Sequence, residues 1–352
     1  MISTKAYAAL SATTPLVPFQ FERRDLRPDD VQVEILYCGV CHSDLHQARN
    51  EWGGSMYPMV PGHEIVGKVT RIGTNVKEFK VGELAGVGVM VDSCRTCKNC
   101  MNDLEQYCEE GMTGTYNAYE RDGKTIAQGG YSSQIVVDKK YVLHISEKLD
   151  LKAVAPLLCA GITTYSPLRY AKVGKGTKVG IIGLGGLGHM GLKFAASFGA
   201  EVTLISSSAS KEADAKRLGA HHFLLSSDEK QMRQHRGHFD VLLNTVSANH
   251  DYSPYLKLLG LDGTMLIVGI PAQAPVVRPF DILTNRRSIT GSSIGGIKET
   301  QEMLDYCAEK NIVADVELIP MQEINNAYER MVKNDVRYRF VIDIKSLDKL
   351  IQ

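Results

Sequence analysis

The sequence predicts a mixed α/β chain in two parts: a β-rich, strongly bent domain and a domain built on a doubly wound parallel sheet. Three observations carry that reading. Residues 1–150 read as short strands separated by turns. Beyond 150, short apolar strands alternate with helical stretches, the pattern of a parallel sheet covered on both faces. A glycine-rich turn joins the first of those strands to the helix after it. At 352 residues the chain is too long for one ordinary core.

In order, Val31-Gln32-Val33-Glu34-Ile35-Leu36-Tyr37-Cys38 alternates as a half-buried strand does. Residues 65–72 and 84–91 are two further strands. Gly62, Gly67, Gly73, Gly82, Gly86 and Gly88 punctuate them, as a compact bent β-fold needs. The second part opens with the apolar strand Thr177-Lys178-Val179-Gly180-Ile181-Ile182, then a helix over 187–198, a strand at 201–205 and a helix over 211–218. Strands follow at 222–225, 240–244, 265–269 and 288–291, then helices over 298–310 and 322–333 and a closing strand at 339–344. There is no internal repeat and no low-complexity segment.

Forty Lys and Arg balance forty Asp and Glu, so no global field recruits nucleic acid or an anionic membrane. Met1-Ile2-Ser3-Thr4-Lys5-Ala6 is not a charged n-region leading into an apolar run, so no secretion signal is expected. No apolar stretch approaches the ~20 residues that span a bilayer. The composition is that of a soluble globular protein. Eight cysteines in such a chain point to a reducing, cytoplasmic setting, where thiols serve metals.

Four of those cysteines form C-x2-C-x2-C-x7-C: Cys94, Cys97, Cys100 and Cys108. Each x2 step is one tight turn aiming two sulfurs at a point, and Lys98, Asn99, Asn102 and Asp103 suit such turns. Four thiolates take zinc tetrahedrally with no open position, so the expected site is structural. The alternative is a disulfide cluster, which the reducing setting disfavours.

Gly183-Leu184-Gly185-Gly186-Leu187-Gly188 is a G-x-G-x-x-G turn in the strand-to-helix context that gives the pattern meaning. Gly183 permits the tight turn, Gly185 admits backbone close to a pyrophosphate, and Gly188 packs helix on sheet. The helix N-terminus then offers N–H groups to phosphate. The alternative is a glycine turn without a ligand. The next strand runs into Ser206-Ser207-Ser208 with Lys211 beyond, where an NAD site usually carries an acid for the ribose diol. Hydroxyls and a cation suit a 2′-phosphate, which favours NADP. The competing reading is a solvated serine loop in which Ser210 caps the following helix.

Two cysteines and a histidine make a second constellation: Cys41 in Cys41-His42-Ser43-Asp44-Leu45-His46, His63 in Gly62-His63-Glu64, and Cys159 in Leu158-Cys159-Ala160-Gly161. Such a set gives zinc three protein ligands and one open position, the catalytic arrangement. Cys38 and Cys307 read as core residues. A redox pair of Cys38 with Cys41 is disfavoured, because Cys38 lies in the strand and points away once the chain turns.

Together these residues resemble the zinc-dependent medium-chain alcohol dehydrogenases, and among them the cinnamyl-alcohol-dehydrogenase-like branch with its bacterial broad-range aldehyde reductases. The resemblance rests on Cys-Gly-Val-Cys-His-Ser-Asp-Leu-His at 38–46 and Pro61-Gly62-His63-Glu64-x2-Gly67 with Gly73, Val76 and Gly82. The 94–108 cage, Gly183 to Gly188, Ser206 to Ser208 with Lys211, and Asn334-Asp335-Val336-Arg337-Tyr338-Arg339-Phe340 complete it. It implies a GroES-like catalytic domain of residues 1–150 completed by 292–352, with a Rossmann domain of residues 151–291 inserted. It implies two zincs per chain, the catalytic one on Cys41, His63 and Cys159 with Glu64 as an exchangeable or neighbouring carboxylate. Ser43 would bond the substrate oxygen and His46 would continue a proton relay. Thr163, Thr245, Gly269, Ser292, Ser293 and Ile294 would touch the cofactor. Two departures stand out. Gly82-Glu83-Leu84-Ala85 replaces the usual Gly-Asp-x-Val. Ser293 stands where plant lignin enzymes commonly carry Phe, which argues against strict phenylpropanoid specificity.

The expected activity is NADP(H)-dependent interconversion of an alcohol and an aldehyde, mainly as an aldehyde reductase, in a homodimer paired near Ser288 to Gly291. Substrate selection would lie with scattered residues such as Trp52 and the 112–119 region. An NAD-dependent polyol or sugar dehydrogenase of the same fold is the second reading, opposed by the missing acid after Ile205. A non-enzymatic zinc and nucleotide sensor is the third, opposed by the open catalytic ligand set.

Overall fold

The computed structural model describes residues 1–350. The chain forms two compact units: Met1–Cys159 joined by the segment from Gly295 onward, and Ala160–Ile294.

The first unit is organised on the strand Asp30–Val40, whose alternation was legible in the sequence. It pairs antiparallel with Ile65–Ile72, Gln134–Asp138 and Arg339–Asp343. One strand serves three partners because register shifts between Gln32 and Val33 and between Ile35 and Tyr37 bend it. The Arg339–Asp343 pairing, Phe340 opposite Val40, draws the C-terminal segment into the sheet of the N-terminal one. Val316–Pro320 adds a parallel strand beside it, and Leu84–Val87 and Leu143–His144 extend the other flank. The expected strand 84–91 divides at Gly88: Leu84–Val87 stays in the sheet and Met90–Asp92 pairs with Thr113–Gly114. A hairpin of Ile2–Ala8 and Val17–Arg23 was not foreseen.

The second unit holds a six-stranded parallel sheet in the order His222–Leu225, Glu201–Ser206, Lys178–Ile182, Phe239–Asn244, Leu259–Ile267, Ser288–Gly291. That is the 3-2-1-4-5-6 order of a dinucleotide-binding sheet. Its strands are nearly continuous apolar runs, as burial on both faces demands; Ile182, Ile205, Leu224, Phe239, Leu242 and Met265 form one core. The strand expected at 265–269 starts earlier and ends at Ile267. Ser288–Gly291 lies at the sheet edge, as expected.

The unit boundaries differ from 150/151 and 291/292. Residues 151–159 fold with the first unit through the turns Leu151–Val154 and Ala155–Leu158, and Ala153 O accepts from Ala314 N at 3.1 Å. Residues 292–294 stay with the second, where Ser292 N donates to Ile267 O at 3.2 Å. No helix among the described residues is long and apolar enough to cross a membrane.

Candidate active site and metal centres

Cys41 caps the helix His42–Ala48, and its own N–H donates to Asp44 Oδ2 at 2.9 Å, closing a capping box. The turn fixes where the Cys41 sulfur points. Gly62 sits at φ 102°, and its N–H donates to Asp44 Oδ1 at 3.1 Å. A Cβ at Gly62 would fall 2.8 Å from Cys38 Sγ, so only glycine delivers His63 here. Cys159 follows the 3₁₀ turn Ala155–Leu158, and its sulfur lies 4.0 Å from Cys41 Sγ. One ligand atom each from Cys41, His63, Glu64 and Cys159 lies within 4.8 Å of all the others.

Two residues without an assigned role in the sequence reading complete the cluster. Asp44, fully buried, also accepts from Tyr131 OH at 3.0 Å and pairs with His63 Nδ1 at 3.1 Å. Held at Nδ1, the imidazole directs Nε2 into the cluster. Its signal was the acid three residues after Cys41. Arg339 forms an ion pair with Glu64, both buried. A Cβ at Gly39 would fall on Glu64 Oε2, so that strand position is open to admit the carboxylate. Tyr116 stacks on His63 with ring centres 5.7 Å apart, which brings the 112–119 region to the cluster. Ser43 Oγ is 3.6 Å from Cys41 Sγ. His46 is partly exposed, its Nδ1 2.5 Å from Glu51 Oε2 and its ring 4.9 Å from that of Trp52.

The donors fit a zinc ion. His63 Nε2 and Glu64 Oε2 are buried with no hydrogen-bond partner among the described residues. Leaving such atoms unpaired costs about 1–3 kcal/mol each, and a cation satisfies both. The hydrogen bond from Cys159 holds the Cys41 thiol well below its ordinary range, while Cys159, facing Cys41 and buried, goes the other way. Two thiols in one buried space share a proton, and a divalent cation removes it. Burial pushes Glu64 up to about 7, against the opposing pull of Arg339. Cys38 and Cys307 are fully buried core residues.

The second centre is local. The sulfurs of Cys94, Cys97, Cys100 and Cys108 also lie within 4.8 Å of one another. Cys97 N donates to Cys94 Sγ at 3.3 Å, Cys100 N to Cys97 Sγ at 3.5 Å and Cys94 N to Cys108 Sγ at 3.3 Å. These N–H groups stabilise thiolates: those of Thr96 and Cys97 lower Cys94 to about 6. Arg95 at φ 65° and Asp103 at φ 59° make the tight turns that the spacing called for. All eight cysteines are free, so the disulfide alternative is not realised.

In the second unit Gly183, Ser206, Thr245, Gly269 and Ser292 each stand at or just beyond the carboxyl end of a strand, where parallel sheets bind ligands. Gly183, at φ 89°, leaves the strand Lys178–Ile182, and Gly185 caps the helix Gly186–Ser197, whose second residue is Leu187. A Cβ on Gly185 would meet nothing within 4 Å, so the backbone at the helix N-terminus faces open space. One on Gly188 would strike Gly183 O, so Gly188 serves packing. Thr245 Oγ1 donates to Ile182 O at 2.8 Å beside the turn that includes Leu184. Gly269 admits Val246 O, which a Cβ would meet at 2.5 Å. Thr163 lies buried in the helix Ala160–Tyr170; Ser292, Ser293 and Ile294 leave the edge strand, Ile294 at φ 40°. Ser206 ends its strand without an acid, and Ser208 N donates to its Oγ at 3.2 Å. Ser207 and Ser208 are exposed and Lys211 is half-buried. The capping alternative for Ser210 fails: the helix Glu212–Arg217 is capped at Lys211 after a 3₁₀ turn, and Ser210 Oγ instead sits 2.8 Å from Ser208 Oγ.

Residues 27–147 match the alcohol dehydrogenase GroES-like domain and residues 186–309 the zinc-binding dehydrogenase domain. The chain is 54% identical over 348 residues to NADP-dependent alcohol dehydrogenase C 1 of Mycolicibacterium smegmatis, covering 99% of each. It belongs to the zinc-dependent medium-chain alcohol dehydrogenases. This alcohol dehydrogenase is also 53% identical to the aldehyde reductase YahK of Escherichia coli, over 97% of this chain and 99% of that one. A solved cinnamyl alcohol dehydrogenase of Sorghum bicolor superposes with a TM-score of 0.94 at 44% identity, covering 97% and 98%. These likenesses place it in the cinnamyl-alcohol-dehydrogenase-like branch.

Proposed function

We propose that this chain is an NADP(H)-dependent zinc alcohol dehydrogenase acting mainly as a broad-range aldehyde reductase on small-molecule primary alcohols and aldehydes. The cluster of Cys41, His63, Glu64 and Cys159, with His63 Nε2 buried and unpartnered, carries the proposal. The likeness to an NADP-dependent relative over the full chain supports it. Cys41, His63 and Cys159 hold the catalytic zinc, Glu64 is an exchangeable neighbour, and Cys94, Cys97, Cys100 and Cys108 hold a structural zinc. When bound, the catalytic zinc would supply Lewis-acid polarisation of the substrate oxygen, and the nicotinamide of NADP(H) would carry the hydride.

The chain's own residues supply position and proton transfer. Asp44 keeps His63 in one tautomer. Arg339 neutralises Glu64 and holds it close. The Ser43 hydroxyl bonds the substrate oxygen; in aldehyde reduction it gives that oxygen a proton and takes one back from the direction of His46, and in alcohol oxidation the proton runs the other way. With Glu51 accepting at Nδ1, His46 presents Nε2 as the proton carrier, and its partial exposure gives contact with bulk water. His46→Ala is expected to slow turnover about 10- to 100-fold near neutral pH, with partial rescue by small added bases. Unchanged rates across the pH range would remove His46 from the relay.

Gly183 to Gly188 seat the pyrophosphate, with Thr163, Thr245, Gly269 and Ser292 to Ile294 lining the cofactor. Ser206, Ser207, Ser208 and Lys211 hold the 2′-phosphate. Wild-type kcat/KM for benzaldehyde is expected to favour NADPH over NADH by at least about tenfold, or ~1.4 kcal/mol. Ser206→Asp with Lys211→Ala sets a carboxylate against that phosphate and is expected to reverse the preference. A wild type that prefers NADH would overturn the cofactor assignment, and the absence of any turnover would overturn the activity.

The enzyme acts in the cytoplasm without nucleic-acid or membrane partners, consistent with its balanced charge. It assembles as a homodimer through its edge strand Ser288–Gly291, which has one side unpaired among the described residues. Light scattering at working concentration should give twice the chain mass; a monomer would refute the assembly.

A further inference from the structure

The four-cysteine cage is tied to its unit by side chains that ligation alone does not require. Ser93, buried, precedes the first ligand. Its Oγ lies 3.1 Å from Cys100 Sγ and 2.7 Å from Tyr141 OH, and it accepts the Arg95 N–H at 3.3 Å. A hydroxyl has one proton to give and two lone pairs. Arg95 N–H can only donate. A metal-bound Cys100 sulfur carries no proton and can only accept. The Ser93 proton therefore goes to Cys100, and Tyr141 donates to Ser93. No other assignment satisfies all four groups.

The far end of this chain is fixed as firmly. Tyr141, also buried, closes the 3₁₀ turn Lys139–Tyr141, capped by Asp138 Oδ1, which accepts from Lys140 N at 2.9 Å. Asp138 Oδ2 accepts from Arg95 Nη1 at 2.9 Å, and Arg95 Nε donates to Asp92 at 2.9 Å. The same guanidinium lies 5.4 Å from the centre of the Tyr141 ring. Arg95 thus shapes the turn between two ligands and, through its side chain, clamps the tyrosine. The backbone groups described above reach Cys94, Cys97 and Cys108; Cys100 takes the Ser93 hydroxyl, with the Arg95 N–H also directed toward its sulfur.

We propose that Ser93 and Tyr141 are positioning residues of the structural zinc. The directed chain from Tyr141 through Ser93 to Cys100 aims the Cys100 sulfur and retards loss of the metal. This rests on the reading of the cage as a zinc site. Partners of this kind commonly carry 10- to 100-fold in metal affinity.

The test is zinc release from the full-length enzyme into a chromophoric chelator, with total zinc measured first. Ser93→Ala and Tyr141→Phe should each release one of the two zincs at least about tenfold faster, the other leaving at the wild-type rate. In cadmium-substituted enzyme, Ser93→Ala should move the cadmium NMR resonance of the four-sulfur site and leave that of the two-sulfur site in place. Destabilised packing alone would not shift one resonance selectively. Release at the wild-type rate in both variants, or an unmoved four-sulfur resonance, overturns the proposal. Fewer than two zincs in the wild type would instead overturn the zinc reading itself. If Ser93→Ala does not fold, Tyr141→Phe decides the question, because it keeps the ring and removes only the hydroxyl.

Discussion

Cys159→Ala should cost about a thousandfold or more in kcat/KM for aldehyde reduction while leaving one zinc per chain. The cluster offers two sulfurs and one imidazole, and Cys159 supplies one sulfur, 4.0 Å from the other. Without it, zinc keeps two strong ligands and a carboxylate already paired with Arg339. Lewis-acid stabilisation is worth several kcal/mol of the barrier, and ~4 kcal/mol is about a thousandfold. The fold should survive. Asp44 still accepts from Cys41 N, Gly62 N and Tyr131 OH, so the capping turn and the segment that carries His63 keep their supports. Deleting one buried sulfur costs on the order of 1 kcal/mol. Metal analysis beside steady-state kinetics checks this. A variant with two zincs and wild-type kcat/KM would remove Cys159 from the catalytic site.

The contrast between the two metal centres also marks how far the sequence could be read. The cage was legible because its ligands fall within one short loop and their spacing is itself the geometry. The glycine turn was legible for the same reason. Cys41, His63 and Cys159 were visible only as residue types suited to zinc, since a sheet and a separate turn bring them together. Asp44 and Arg339 stood inside motifs that were noticed, yet their roles stayed hidden. Arg339 meets Glu64 through the pairing of Arg339–Asp343 with Asp30–Val40, a contact no local pattern encodes. The missed elements have local causes. The helix Ala160–Tyr170 contains Gly161, two threonines and Pro167, which mask its period. The strand Leu259–Ile267 carries Leu261-Asp262-Gly263, with Asp262 at φ 61°, and reads as a turn. Val316–Pro320 ends in a proline and is short enough to pass for a connection.

Cys94→Ser should act on stability first. Between residues 94 and 110 only Cys100 and Cys108 are buried, while Met101, Leu104 and Tyr107 stand exposed. This lobe has no apolar core of its own, so the metal takes that place. In small metal-held domains the binding free energy is ~10–16 kcal/mol and is folding free energy, comparable with the ~5–15 kcal/mol that holds whole proteins together. Here the lobe is anchored at both ends by the pairing of Met90–Asp92 with Thr113–Gly114, so its loss should be local before it is global. A serine in place of Cys94 removes one thiolate and the acceptor of the Cys97 N–H. The expected result is one zinc per chain, rapid proteolysis within 94–108, and a Tm lowered by on the order of 10 °C, which at ~2–4 °C per kcal/mol is about 3–5 kcal/mol. The catalytic cluster draws on none of these residues, so the remaining zinc should support turnover below the new Tm. That pattern is the reverse of Cys159→Ala, and calorimetry with metal analysis on both variants separates the centres. A Cys94→Ser enzyme with two zincs and an unchanged Tm would show that the lobe stands without its metal.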